Sequence, residues 1–257
     1  MDLLEFALEL ADKADSITMS KYQSSDLVVN QKPDLTPVTE ADKKVEQVIR
    51  TEIEKAFPND SILGEEYGEA KRSAARQWII DPIDGTKNFV RSVPVWATLI
   101  ALAEGDEVVL GVVSAPALGR RWWAVKEKGA WVHNTLTGET KQIRVSQVSD
   151  LEHASLGYAS LPAWKGLDKF DKFLSLMDKC WRTRGYGDFW IYMLLAEGAI
   201  DIAAEPELAV YDMAALVPIV VEAGGTFTST NGKPGPWDGN AVATNTLLHR
   251  QVLDYLS

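Results

Sequence analysis

The sequence predicts an α/β fold in two halves, an α+β part over residues 1–145 and an α/β part over residues 146–257. Three patterns point there: two amphipathic helical stripes at the start, a run of short apolar strands through the middle, and a strand–helix alternation after about Leu151.

The first stripe is Leu3, Ala7, Leu10, Ala14 and Ile17, apolar positions three or four apart on one helical face. Residues 28–37 carry two prolines and interrupt it. Thr39 then reads as the N-cap of a second helix through Ala41, Val45, Val48, Ile49, Ile53 and Phe57, which Pro58 stops. Beyond it the apolar runs 79–80, 95–103, 108–115, 121–125 and 130–132 are separated by turn residues such as Gly105 and Asp106, a pattern of largely antiparallel strands. The second half predicts strands at 154–158, 181–184, 200–204, 226–228 and 241–243, with helices near 167–179, 189–197 and 212–223 and a last one ending at Tyr255. No internal repeat or low-complexity stretch appears.

With 37 acidic against 26 basic residues, the net charge is −11. That argues against nucleic acid and anionic membranes as partners, because a protein gripping phosphate backbones presents a basic face. A small anionic substrate remains compatible where metal ions neutralise local carboxylates. A lone cysteine, Cys180, rules out an intrachain disulfide and a multi-cysteine zinc site. The start of the chain lacks a basic leader, and no apolar run reaches the roughly 18 residues of a spanning helix, so a cytoplasmic protein is expected. The nine tryptophans, Trp122 and Trp123 among them, fall within apolar strands and are expected in core or subunit-interface packing.

The chemistry concentrates in Asp81-Pro82-Ile83-Asp84-Gly85-Thr86-Lys87-Asn88-Phe89. Two carboxylates end an apolar strand on either side of a proline that fixes its own backbone. Charges there are costly unless something binds them, and hard oxygen ligands on a rigid turn suit Mg²⁺. Gly85 would let the backbone approach a phosphate, with its N–H and that of Thr86 as donors. Glu65-Glu66 after Gly64, and Asp212 at the head of an apolar helix, add carboxylates; alone, the first reads as a solvated pair and the second as a helix cap or a ligand.

Together, Glu65-Glu66, the run from Asp81 to Phe89, and Asp212-Met213-Ala214-Ala215 followed by Glu222-Ala223-Gly224-Gly225 resemble the ordered signature of the inositol monophosphatase-like family, over nearly the whole chain. The resemblance implies a layered αβαβα sandwich and a phosphoric monoester hydrolase with two to three Mg²⁺ per site. Glu65, Asp81 and the Ile83 carbonyl would hold the first ion, and Asp81, Asp84 and Asp212 the second, with a third, weaker ion near Glu65. It also implies water activated by metal and oriented by Thr86 and Asp42, with Glu65 as a further catalytic group. Asp42 follows the Thr39 cap by three residues and has an alternative reading as a capping-box partner. A homodimer is the family habit.

Substrate choice is expected from residues 184–190 and 203–207, where Arg184, Asp188 and Glu205 are the candidate substrate-binding residues. A cationic amino-imidazole alcohol would gain charge-assisted bonds from Asp188 and Glu205 that a neutral polyol would not. The stretch from Gly185 to Phe189, with residues 90–96 and 114–118, is similar to the bacterial histidinol-phosphate phosphatase branch; Tyr211 departs from the tryptophan usual before the aspartate. The alternatives are inositol 1-phosphate or a bisphosphate as substrate, a role for Asp188 as a helix cap only, and a non-catalytic phosphate- or metal-binding protein. Retention of Asp42, Glu65, Asp81, Asp84 and Asp212 together speaks against the last.

Overall fold

The structure is a computed structural model that describes residues 2–32 and 36–257. The first half contains α1 (Leu3–Lys21), β1 (Val29–Gln31), β2 (Pro37–Thr39), α2 (Glu40–Ala56), β3 (Ser61–Gly64), β4 (Gly68–Ala70), β5 (Arg76–Asp84), α3 (Thr86–Val90), β6 (Ala97–Glu104), β7 (Glu107–Ala115), β8 (Arg120–Val125), β9 (Ala130–Asn134) and β10 (Thr140–Ile143). The rest contains β11 (Ser155–Gly157), α4 (Phe170–Lys179), β12 (Arg182–Arg184), α5 (Asp188–Ala196), β13 (Ile202–Glu205), α6 (Val210–Met213), α7 (Leu216–Glu222), β14 (Thr226–Thr228), β15 (Ala241–Thr244) and α8 (His249–Leu256). Pro33, one of the two prolines that interrupt the helical pattern, lies outside the described residues, and Pro37 opens β2.

The larger sheet has the order β10-β9-β8-β7-β6-β5-β3-β4 and the smaller β12-β11-β13-β15-β14. Strand alternation gives each sheet two buried faces. On one face of the larger sheet Trp78, Ile80, Ile100, Leu102 and Val112 meet Phe6, Leu10 and Ala14 of α1 and Val45, Ile49 and Ile53 of α2. On its other face Ile79, Leu99, Ala101 and Val113 meet Phe189 and Ile191 of α5 and Leu216, Ile219 and Val220 of α7, and the same core continues into Ala203, Ala241 and Ala243 of the smaller sheet. The far side of that sheet, through Leu156, Ile202, Ala204 and Val242, packs on Phe173 and Leu176 of α4 and Val252 and Leu256 of α8. Helix pair, sheet, helix pair, sheet, helix pair: the fold is the layered αβαβα sandwich.

Local chemistry explains the helix starts. Asp2 Oδ1 accepts the Leu4 and Glu5 N–H groups at 2.8 and 3.3 Å, and Thr39 caps α2 through Ala41 and Asp42. Three details differ from the sequence pattern. β3 runs parallel to β5, within a sheet whose remaining pairs are antiparallel. The helix near 167–179 begins only at Phe170, after a 3₁₀ turn over Pro162–Leu167. The helix expected over 212–223 is two helices, α6 and α7. Pro218 has no N–H for the Ala214 carbonyl and its ring crowds that carbonyl, which accounts for the break at Ala214 and Ala215.

Trp78, Trp96, Trp122 and Trp164 are fully buried, whereas Trp181 is exposed. Burial pushes the Cys180 thiol up to about 11, as expected of an unreactive structural cysteine.

Candidate active site

The site forms where β5 ends. Residues three apart on a regular strand face opposite sides, yet Asp81 and Asp84 both belong to one acidic cluster. A register shift supplies the reason: Asp81 lies opposite Leu99 but Asp84 opposite Ala97, so the strand carries one extra residue at Pro82–Ile83. Asp81 Oδ1 accepts the Ile83 N–H at 3.0 Å, and the Pro82 carbonyl accepts the Thr98 hydroxyl at 2.8 Å, which fixes the bulge.

Helix N-termini converge on that strand end. Asp212, in the first turn of α6, accepts the Ala209 N–H through Oδ2 at 2.7 Å. It brings its carboxylate to Asp81 and Asp84 so that one oxygen of each lies within 4.8 Å of the others. Asp84 Oδ2 accepts the Phe189 N–H at 2.7 Å and thereby caps α5 from the other half of the chain. Thr86 Oγ1 lies 3.2 Å from Asp42 Oδ1 and 3.0 Å from the Ile83 carbonyl. Asp42 also accepts the Thr39 N–H through Oδ2, so the capping-box role and the contact with Thr86 coexist on its two oxygens. Glu65 is tied to the same strand, its N–H donated to the Ile80 carbonyl at 3.2 Å.

A cavity of about 410 Å³ opens over these groups, lined by Glu65, Asp84, Gly85, Thr86, Asp188 and Asp212 among others. Gly85 has φ +85°, a left-handed conformation, and a Cβ there would stand 2.9 Å from the Val95 carbonyl and 3.2 Å from Asp188 Oδ2. Asp188 is the first residue of α5, so the N-cap position falls on Gly187. Its Oδ2 accepts from Asn88 Nδ2 at 3.0 Å. Glu205 is buried beside the Tyr192 phenol, with Oε1 lacking a hydrogen-bond partner. Arg184 is not brought together with the others: it is exposed on β12, its Nη1 donating to the Thr183 carbonyl at 2.7 Å.

Electrostatics make this cluster one that could hold a cation. Burial, then the charges of Glu65, Asp84 and Asp212, holds the Asp81 carboxyl well above the usual range; burial, then Asp188 and Asp212, does the same for Asp84. Asp212 is pushed up to about 6 by burial and Glu65. Such a cluster repels itself unless protonated or neutralised by a cation. The carboxylates of Asp81, Asp84 and Asp212 offer oxygen donors only, a set that fits Mg²⁺ better than zinc or copper.

Sequence reasoning missed three neighbours. Lys32 Nζ lies 2.7 Å from Glu65 Oε1 and 2.6 Å from Glu66 Oε1, so that pair is not the solvated one its composition suggests. The sole signal was a lysine next to a proline in a segment read as a break. Asn88 carried no signal beyond its place in the motif, and Tyr192 looked like any apolar-helix residue. Tyr211 lines the cavity; burial and Asp212 push its phenol up to about 12, so it remains a donor.

Fold and site together are those of a phosphoric monoester hydrolase that works with bound cations. The chain belongs to the inositol monophosphatase family, whose model it matches over residues 1–256. It is 54% identical over 261 residues to a histidinol-phosphatase of Streptomyces coelicolor, covering 100% of this chain and 97% of that one. It is 51% identical over 256 residues to a histidinol-phosphatase of Mycobacterium tuberculosis, covering 100% and 98%. Among solved structures, the IMPase of Thermotoga maritima superposes with a TM-score of 0.86 at 32% identity, covering 100% of this chain and 97% of the other.

Proposed function

We propose that the chain is a Mg²⁺-dependent histidinol-phosphatase that releases phosphate from L-histidinol phosphate, with Glu65, Asp81, Ile83, Asp84 and Asp212 holding two to three ions. Full-length identity of 54% and 51% to two histidinol-phosphatases supports the substrate. When bound, the cations neutralise the phosphate oxygens, acidify water and stabilise the leaving alkoxide. Thr86 and Asp42 hold the attacking water and take its proton, because the Thr86 hydroxyl is oriented by Asp42 Oδ1 and the Ile83 carbonyl. The backbone N–H groups of Gly85 and Thr86 receive the phosphate.

The observation that carries the substrate assignment is the Asp188 carboxylate, which lines the cavity and is held there by Asn88. With Glu205 behind it, that end of the cavity favours a cationic alcohol over a neutral polyol. Arg184 belongs to this proposal only if the subunits of a homodimer bring it to a neighbouring cavity. A cytoplasmic location is part of this proposal, supported by the likeness to the two histidinol-phosphatases. Among the described residues no helix is long and apolar enough to cross a membrane. The division into parts 1–145 and 146–257 belongs to the same reading, the first carrying most cation ligands and the second Asp212 and the substrate-selecting residues.

Asp188→Asn tests the assignment. It keeps the bond to Asn88 in reach but removes the charge, and is expected to lower kcat/KM for histidinol phosphate by about tenfold or more while leaving inositol 1-phosphate within about threefold. Equal losses on both substrates would remove Asp188 from substrate selection.

A further inference from the structure

The turn that carries Glu65 is held from beneath by a charge pair outside the cavity lining. Glu65, Glu66 and Tyr67 connect β3 to β4, which pair antiparallel with Gly64 opposite Gly68. A tight hairpin turn would normally leave such N–H groups to water, but here all three are taken. Glu65 N–H goes to the Ile80 carbonyl. Glu66 N–H goes to Glu46 Oε2 at 2.7 Å and Tyr67 N–H to Glu46 Oε1 at 3.2 Å. Glu46 is fully buried, and Arg50, one helical turn on, donates to it from Nε at 2.7 Å and to the Gly68 carbonyl from Nη2. The Arg50 guanidinium also lies 6.0 Å from the centre of the Tyr67 ring.

Gly64 makes room for this arrangement, since a Cβ there would overlap the Glu46 carboxyl. Glu46 follows Asp42 by four residues, on the same face of α2. One helix therefore presents Asp42 to Thr86 and Glu46 to the Glu65 turn, and a carboxylate that satisfies two consecutive backbone N–H groups fixes the turn's height above the strand bearing Asp81.

We propose that Glu46, clamped by Arg50, is a positioning residue that sets where Glu65 stands relative to Asp81 and thereby the cation affinity of that end of the site. It rests on the reading of Glu65 as a cation ligand. Glu46 touches neither substrate nor cation; it acts through the turn.

The test compares Glu46→Gln and Glu65→Gln with the unaltered protein, titrating Mg²⁺ calorimetrically and, in parallel, following histidinol phosphate hydrolysis across Mg²⁺ concentration. Glutamine at 46 can accept only one of the two N–H groups and sets an amide against Arg50. Glu46→Gln is expected to weaken Mg²⁺ binding by about ten- to a hundredfold while kcat at saturating Mg²⁺ stays within about twofold. A purely structural role would lower the thermal midpoint and the active fraction without moving the affinity, and that result overturns the proposal. If Glu65→Gln weakens binding and Glu46→Gln does not, the proposal fails alone; if Glu65→Gln leaves binding unchanged, the ligand reading beneath it fails. Should Glu46→Gln not fold, Arg50→Lys keeps the charge but loses the fork to the Gly68 carbonyl. It is expected to weaken Mg²⁺ binding in the same direction, and unchanged affinity in it overturns the proposal.

Discussion

The Thr86 hydroxyl lies 3.2 Å from Asp42 Oδ1, although 44 residues separate the two in the chain. The bond crosses from the start of α3 to the first turn of α2, and the second oxygen of Asp42 is held by Thr39 N–H at 2.8 Å. A carboxylate anchored on one oxygen has little freedom to turn the other away. Burial, reinforced by Glu66 and Glu65, pushes Asp42 up to about 6, a value suited to receiving a proton near neutral pH. Thr86→Val, which keeps shape and removes the hydroxyl, is expected to lower kcat by about 10²–10⁴-fold. Asp42→Asn in the same background should add little, since the two act as a unit. Additive losses measured in the double variant would separate them.

Asp84 serves two ends at once, facing the acidic cluster and accepting the Phe189 N–H at 2.7 Å. Asparagine can still accept that bond through its oxygen, so Asp84→Asn should retain the start of α5 and its packing. Turnover is expected to fall by about 10²–10³-fold or more for loss of a charged group aimed at the reaction centre. Circular dichroism and a thermal melt check the fold; near-normal turnover in a well-folded variant would take Asp84 out of the site.

Protonation and cation binding compete for the same carboxylates. Asp212 is pushed up to about 6 from 3.8, burial being the main cause, and Asp81 and Asp84 are raised by burial first and then by neighbouring carboxylates. Between about pH 4 and 6 the cation-free folded chain therefore keeps protons that the unfolded chain has released. The stability these groups contribute is full below that window and is lost as pH rises through it. Mg²⁺ binds the deprotonated carboxylates and so offsets the loss where it is largest. The rise in thermal midpoint on adding saturating Mg²⁺ is expected to be small at about pH 5 and at least about twice as large at about pH 7.5. A rise that does not depend on pH would contradict a cation site made of these groups.

Much of this was legible in the chain itself, for stated physical reasons. The helical stripes of α1 and α2 and the apolar runs of β5 to β9 reflect burial on defined faces, which periodicity reports directly. Charges placed where an apolar strand ends are costly, so Asp81 and Asp84 stood out. Their common orientation was expected of a rigid turn, but its cause was not, because the bulge at Pro82–Ile83 is a register property of two strands and leaves no mark in one of them. The division of α6 from α7 was readable in Pro218, although the apolar pattern continues across it. Lys32, Tyr192 and the clamp of Glu46 on the Glu65 turn depend on tertiary neighbours far along the chain. Asp188 read in sequence as a substrate-binding residue with a helix cap as the alternative; its contact with Asn88 and the capping of Phe189 by Asp84, which leave its side chain at the cavity, had no mark in the sequence.

The most direct test measures phosphate release by the purified protein from L-histidinol phosphate, inositol 1-phosphate, fructose 1,6-bisphosphate and 3′-phosphoadenosine 5′-phosphate, with Mg²⁺ and with EDTA. A kcat/KM for histidinol phosphate at least about tenfold above the others, about 1.4 kcal/mol of transition-state discrimination, and abolished by EDTA, is the predicted result. Preference for inositol 1-phosphate, or release that survives EDTA, would contradict it.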